Sequence, residues 1–259
     1  MTKSQPIGLF DSGIGGTSIW KEIHQLLPNE NTIYLADTKN APYGQRSKEE
    51  IIELSIKNTE FLLEQNSKII VVACNTATTN AIKELRAKFD VPFIGIEPAI
   101  KPAANNSKTQ TIGILATKGT LNSELFNKAT EKFQDTTIIE QVGYNLVKLI
   151  EDGQMHSDEM TSLLHKYLQP MIEANIDYLV LGCSHYPYLI PQIKEILPKH
   201  IQIIDSGEAV AKQTQKLLEE KNVLNDSNAP STSVFYTNAN TEVLDDILEH
   251  KYPVIQKDF

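Results

Sequence analysis

Two cysteines, Cys74 and Cys183, are the residues of this 259-residue chain best suited to chemistry. Each closes an apolar run, IIVVAC (69–74) and YLVLGC (178–183). Polar residues follow each one: Asn75 and Thr76 after the first, Ser184 and His185 after the second. A solitary buried cysteine behaves as a small hydrophobe. Two at matched points of a chain, each ending a strand and preceding a helix, invite a different reading. Ligands of parallel α/β sheets bind at the carboxyl ends of the strands. A helix N-terminus adds free N–H groups and a positive dipole end, which favours thiolate. Both sulfurs are therefore expected to be reactive. Asp11 and Ser12 end a third run and enter the turn GIGG, whose glycines are expected to supply unusual dihedrals. Capping explains part of this polar set, and one turn can both cap a helix and hold an anion.

The elements that position these residues alternate in period. Short β-branched runs at 7–10, 32–37, 69–74, 92–96, 111–117, 136–143, 178–183 and 201–205 read as strands. Segments of helical spacing separate them: 17–28, a helix opened by the capping box Ser47–Glu50 and running to Gln65, 75–89, 120–134, 157–174 with a kink at Pro170, a helix with Pro187 in its first turn, and 207–221. A polar loop (225–233), the strand VFYT and a last helix are expected to end the chain. The continuous apolar strands predict parallel α/β sheets covered on both faces.

The halves repeat. Gly8 precedes Cys74 by 66 residues and Gly113 precedes Cys183 by 70; Cys74 precedes Gly95 by 21 and Cys183 precedes Asp205 by 22. The reading is two similar α/β domains, each a mostly parallel sheet flanked by helices and related by pseudo-symmetry, with one cysteine apiece. The repeat is chemically uneven: Asp11 aligns with Ala116, and Thr76 with His185. Two thiols, each with a different ionisable helper, suit proton removal from one face of a carbon and return on the other.

Bulk properties narrow the partners. Net charge is −9, with 24 basic and 33 acidic residues, so no nucleic-acid partner is expected. No stretch has the apolar length of a membrane helix and no signal-peptide core opens the chain, so a cytoplasmic protein with reduced thiols and no membrane association is expected. No Cys/His cluster suggests a metal. Gly13, Gly15 and Gly16 do not fit G-x-G-x-x-G, because the third glycine comes too early. No P-loop, zincin motif, G-x-S-x-G or Schiff-base lysine motif stands out. No cofactor is expected.

At these residues the sequence resembles the glutamate racemase family, within the aspartate/glutamate racemase superfamily. The matching stretches are IGLFDSGIGG (7–16), ADTKNAPYG (36–44), VVACNTAT (71–78), GIEPA (95–99), GCSHYP (182–187) and DSGEAVA (205–211). The resemblance implies cofactor-free interconversion of L- and D-glutamate, supplying D-glutamate for peptidoglycan, and a homodimer is expected. It makes Cys74 and Cys183 the catalytic bases, the first acting on D-glutamate and the second on L-glutamate, assisted by Asp11 and His185. It implies a substrate site of Asp11, Ser12, Tyr43, Gly44, Asn75, Thr76, Thr117, Thr120, Ser184 and His185. Ser184 stands where threonine is usual, and Glu151 matches an acidic family position. The N-terminal extension of members activated by a peptidoglycan precursor is not seen, so that activation is not expected. The resemblance also sets the domains at 1–97 plus 208–259 and 98–207, with the active site in the cleft between them.

Other readings stay open. Aspartate or another amino acid is an alternative substrate. A two-lobed amino-acid-binding protein explains the repeat but not the matched thiols. A dithiol redox protein needs Cα atoms within about 7 Å, which a substrate between the sulfurs forbids.

Overall fold

A computed structural model describes residues 2–227 and 229–259. The first lobe opens with β1 (Ile7–Asp11), α1 (Thr17–Leu26), β2 (Thr32–Ala36), α2 (Lys48–Glu64), β3 (Ile69–Val72), α3 (Asn75–Lys88) and β4 (Phe93–Gly95). After α4 (Ile100–Asn106) comes a second series: β5 (Thr111–Ala116), α5 (Lys118–Leu121), α6 (Glu124–Thr130), β6 (Thr137–Val142), α7 (Leu146–Glu151), α8 (Asp158–Glu173), β7 (Tyr178–Gly182), α9 (Ile190–Ile196) and β8 (Gln202–Ile204). The chain then adds α10 (Gly207–Glu220), β9 (Ser233–Thr237), α11 (Glu242–Ile247) and β10 (Val254–Gln256).

Two sheets result, ordered β10-β9-β2-β1-β3-β4 and β6-β5-β7-β8. Every pairing in both is parallel. The repeat read from spacing is thus a repeat of topology. β2-β1-β3-β4 and β6-β5-β7-β8 share one order, and β9 and β10 extend only the first sheet, on its β2 edge. Asp11 and Ala116 each end the strand second in that order.

The central strands are apolar because helices cover both faces. In β1, Ile7 and Leu9 join one buried cluster while Phe10, pointing the other way, joins the cluster under α2 and α3. The larger cluster continues into the second lobe through Leu115, Leu146 and Leu179. Each fully buried side chain of this kind contributes about 1.5–3 kcal/mol. The capping box forms as read: the Glu50 N–H donates to Ser47 Oγ at 3.2 Å, and the Ser47 N–H donates to Glu50 Oε2 at 2.9 Å.

Three local expectations change. The 120–134 helix is two short ones, because Ser123 caps a new start, its Oγ accepting the Phe126 N–H at 3.2 Å. α4 and α7 are additional helices. The chain ends in β10, three residues paired with β9, after the last helix. Pro170 lies inside α8, which spans the helix read at 157–174 and runs on to Glu173. No helix among the described residues is long and apolar enough to cross a membrane.

Candidate active site

Parallel pairing sets the carboxyl ends of β1 and β3 side by side, and contacts such as Ser184 Oγ to Asp11 Oδ1 bring the end of β7 against them, so the candidate residues gather there. Cys74 is the N-cap of α3. Its sulfur accepts the Ala77 N–H at 3.4 Å and lies 3.8 Å from Ser12 Oγ. Cys183 follows β7, and its Sγ lies 3.8 Å from His185 Nδ1. Cys183 does not precede an α-helix as expected: a short 3-10 turn, Tyr186–Leu189, begins three residues later. Only Cys74 therefore sits at a helix start.

That start does not make Cys74 a thiolate. Burial pushes its thiol well above the ordinary value, and the Asp11 carboxylate pushes the same way, against the N–H of Ala77. The expected dipole effect is outweighed by loss of water around a sulfur only 4% exposed. Cys74 therefore carries a proton near neutrality.

Asp11 is fully buried. Its Oδ2 accepts the Gly16 N–H at 2.9 Å, and its Oδ1 accepts the Ser184 hydroxyl across the lobes at 3.2 Å. Burial raises its pKa, partly opposed by His185. His185 Nδ1 stands 3.9 Å from Asp11 Oδ2 and 3.3 Å from Ser184 Oγ. Its Nε2 lies 2.6 Å from Glu151 Oε1. The Gly15 N–H also approaches Nε2, at 3.3 Å. Nε2 cannot donate and accept at once, and the shorter contact with a carboxylate fixes it as a donor to Glu151. Burial pulls the imidazole down, but Cys183, Glu151 and Asp11 together hold it well above 6.5. The ring Nδ1 stands 3.8 Å from Cys183 Sγ, beside the reacting position.

The glycines of the GIGG turn do not supply unusual dihedrals. Among the described residues only Gly153 has a positive φ for glycine. They are clearances instead. A Cβ on Gly13 would meet Glu151 Oε1 at 1.9 Å, one on Gly15 would meet His185 Nδ1 at 2.1 Å, and one on Gly16 would meet Asp11 Cβ at 2.7 Å. Each glycine admits one ionisable group.

Both polar side-chain atoms of Asn75 are buried without a partner. The N–H groups of Asn75 and Thr76 open α3, where no helical carbonyl precedes them. The Thr76, Thr117 and Thr120 hydroxyls form a triangle across the lobes, 2.8, 3.0 and 3.2 Å apart. Gly44 packs on Thr117, where a Cβ would stand 2.8 Å from the threonine Cβ. Tyr43 is turned elsewhere. Its hydroxyl donates to Asp37 and accepts from Asn58 at 3.0 Å.

Three more residues join the lobes here without any motif to announce them. Thr17 Oγ1 meets the Tyr188 hydroxyl at 2.5 Å, and the Ser18 hydroxyl donates to the Ser184 carbonyl at 2.8 Å. Asp37 was findable, because it follows β2 as Asp11 ends β1. Among the described residues no three His, Cys, Asp or Glu side chains are grouped to hold a metal. The arrangement brings together two thiols with different helpers and the unpartnered amide and N–H donors at the start of α3, a set able to bind a small anion.

The profile of the Asp/Glu/Hydantoin racemase family matches residues 7–214. A glutamate racemase of Herpetosiphon aurantiacus is 44% identical, over 89% of this chain and 90% of that protein. A solved glutamate racemase isoform from Bacillus anthracis superposes with TM-score 0.89 at 32% identity, covering 99% of this chain and 98% of its own. Escherichia coli glutamate racemase, solved with L-glutamate and the activator UDP-MurNAc-ala, gives 0.87 at 33% identity, covering 98% of each chain. The chain belongs to the Asp/Glu/Hydantoin racemase family, among its glutamate racemases.

Proposed function

We propose that the chain interconverts L- and D-glutamate by proton transfer at Cα between Cys74 and Cys183. The observation that carries this reading is the pair of thiols at equivalent strand ends of two topological repeats, each beside a different helper. From L-glutamate, the Cys183 thiolate takes the Cα proton and the bond pair stays on carbon. The Cys74 thiol then delivers its proton to the opposite face. The turnover ends with Cys183 protonated and Cys74 as thiolate, which is the state that accepts D-glutamate. His185, held by Glu151, supports the charge on Cys183. Asp11 serves Cys74 or pairs with the substrate ammonium.

The reacting carbon is a weak acid, so its carbanion needs preformed donors in a site without water. The Asn75 and Thr76 N–H groups answer the charge that grows on the α-carboxylate. The unpartnered Asn75 amide, Ser12, Ser184 and the Thr76–Thr117–Thr120 triangle are the further ligands, with Gly44 offering backbone. Tyr43 supports this wall through Asp37. The relative solved with L-glutamate supports this substrate over aspartate.

The near-complete burial of both sulfurs requires opening for substrate. The lobes proposed to part are 1–97 with 208–259, and 98–207. The two crossovers meet where the Ser206 hydroxyl donates to the Glu97 carbonyl. The role that follows is supply of D-glutamate for peptidoglycan, by a cytoplasmic homodimer. Pure L-glutamate given to dialysed protein in chelator should lose its circular-dichroism signal. A requirement for pyridoxal phosphate or metal, or faster turnover of aspartate, would overturn the reading.

A further inference from the structure

The outer face of the cleft carries a charge pattern that the chemistry does not use. Two depressions open beside Gly44, one of them also walled by Thr117. Their linings include four bases, Arg46, Lys48, Lys118 and Lys148, and no acid. That is unexpected for a chain with 33 acidic and 24 basic residues. Three of the bases are answered by carboxylates: Arg46 by Glu50 at 3.6 Å, Lys48 by Glu84 at 4.0 Å, and Lys148 by Asp152. Among the described residues, Lys118 has no carboxylate oxygen within 4.0 Å. It is exposed, lines both depressions, and follows Thr117, whose hydroxyl touches Thr76 beside the thiols.

We propose that Lys118 is an electrostatic capture residue at the mouth of the cleft, drawing an anionic amino acid toward a site whose own ionisable groups include Asp11 and Glu151. The proposal rests on glutamate, which carries net negative charge, being the substrate. Behind the mouth two buried acids, Asp11 and Glu151, stand against the one cation His185, so an unscreened cation outside them raises the local concentration of such a substrate. The effect discriminates by charge before any side-chain pocket is reached. One unit charge about 10 Å from a unit anion in water is worth about a twofold rate effect at low salt, and charge reversal about fourfold.

Alkylation of the thiols tests this without relying on turnover. The probes are anionic iodoacetate and neutral iodoacetamide, with labelling of Cys74 and Cys183 followed by peptide mass spectrometry. The ratio of the two rates cancels the frequency of opening. At about 0.01 M ionic strength the ratio should fall about three- to fivefold in Lys118→Glu, and by about half that on a logarithmic scale in Lys118→Gln. The difference should fade by about 0.5 M salt. Lys199→Glu makes the same change in net charge, but in the loop before β8 at the far end of that sheet, and should leave the ratio unmoved. KM for L-glutamate should rise in Lys118→Glu in parallel with the ratio. The proposal falls if Lys118→Glu keeps the wild-type ratio, slows both reagents equally, or matches Lys199→Glu. A shifted ratio in a protein that does not racemise glutamate would sink the substrate reading and leave the cationic mouth standing.

Discussion

Gly15→Ala isolates the role of His185. The added methyl would lie 2.1 Å from His185 Nδ1 and 2.3 Å from its Cγ. Carbon atoms in contact stand about 3.5 Å apart, so the ring carbon must retreat by about 1.2 Å. The ring is 1% exposed and tethered to Glu151 at 2.6 Å. A shift of that size takes Nε2 out of hydrogen-bond range or drags the carboxylate with it. Gly15 does not have a positive φ, so alanine brings no backbone strain. A misplacement of about 1 Å costs on the order of 10²-fold, or about 2.7 kcal/mol of transition-state stabilisation. Overpacking should also lower stability by about 1–3 kcal/mol. The assay is initial rates by circular dichroism from each enantiomer, with thermal melting to confirm that the variant is folded at the assay temperature. Because L- and D-glutamate are mirror images, kcat/KM must fall equally in both directions. A folded variant within about fivefold of wild type would refute the claim that His185 must hold this position.

Other outcomes follow from the same geometry. Cys74→Ala and Cys183→Ala should each lower racemisation by about 10³-fold or more, since each face needs its own base. Glutamate should protect both thiols from alkylation, and labelling only after denaturation would contradict a shared cleft. Asp11→Asn and His185→Asn should both lower kcat/KM, by about 10²-fold. They should skew the ratio of the L→D kcat to the D→L kcat in opposite senses, and skews of one sign would break the assignment of one helper to each cysteine. Stability should depend on pH through His185. Its folded pKa lies well above 6.5, so its stabilisation is complete below pH 6.5 and is lost as pH rises through the folded value. Melting temperature should therefore decline above neutrality in the wild type and decline less in His185→Asn, and identical slopes would contradict the raised value.

Much of this was legible because spacing and topology are linked. Near-equal distances from Gly8 to Cys74 and from Gly113 to Cys183 reflect two lobes with one strand order, and apolar runs reflect sheets covered on both faces. What stayed hidden depends on contacts between lobes. Glu151 reaches the Ile14 N–H across 137 residues of chain and His185 across 34, pairings no local pattern encodes. The glycines at 13, 15 and 16 look like turn residues, and only the opposing side chains disclose them as clearances. β10 is three residues long, too short for a period, and forms because β9 offers an open edge. The high Cys74 pKa arises from burial, which spacing at a helix start does not report. Thr17 and Tyr188 stand 171 residues apart in the chain and meet only in the folded molecule.

The proposed reaction uses two different thiols for the two faces of one carbon. Racemisation of L-glutamate in deuterium oxide, stopped at low conversion, tests it most directly. The two enantiomers are separated and each is analysed by mass spectrometry for deuterium at Cα. Two bases that do not share a proton should give D-glutamate carrying solvent deuterium, while the remaining L-glutamate keeps its hydrogen. Hydrogen carried from substrate into D-glutamate, or deuterium entering the L-glutamate pool as fast as the product forms, would mean a single base and contradict the account.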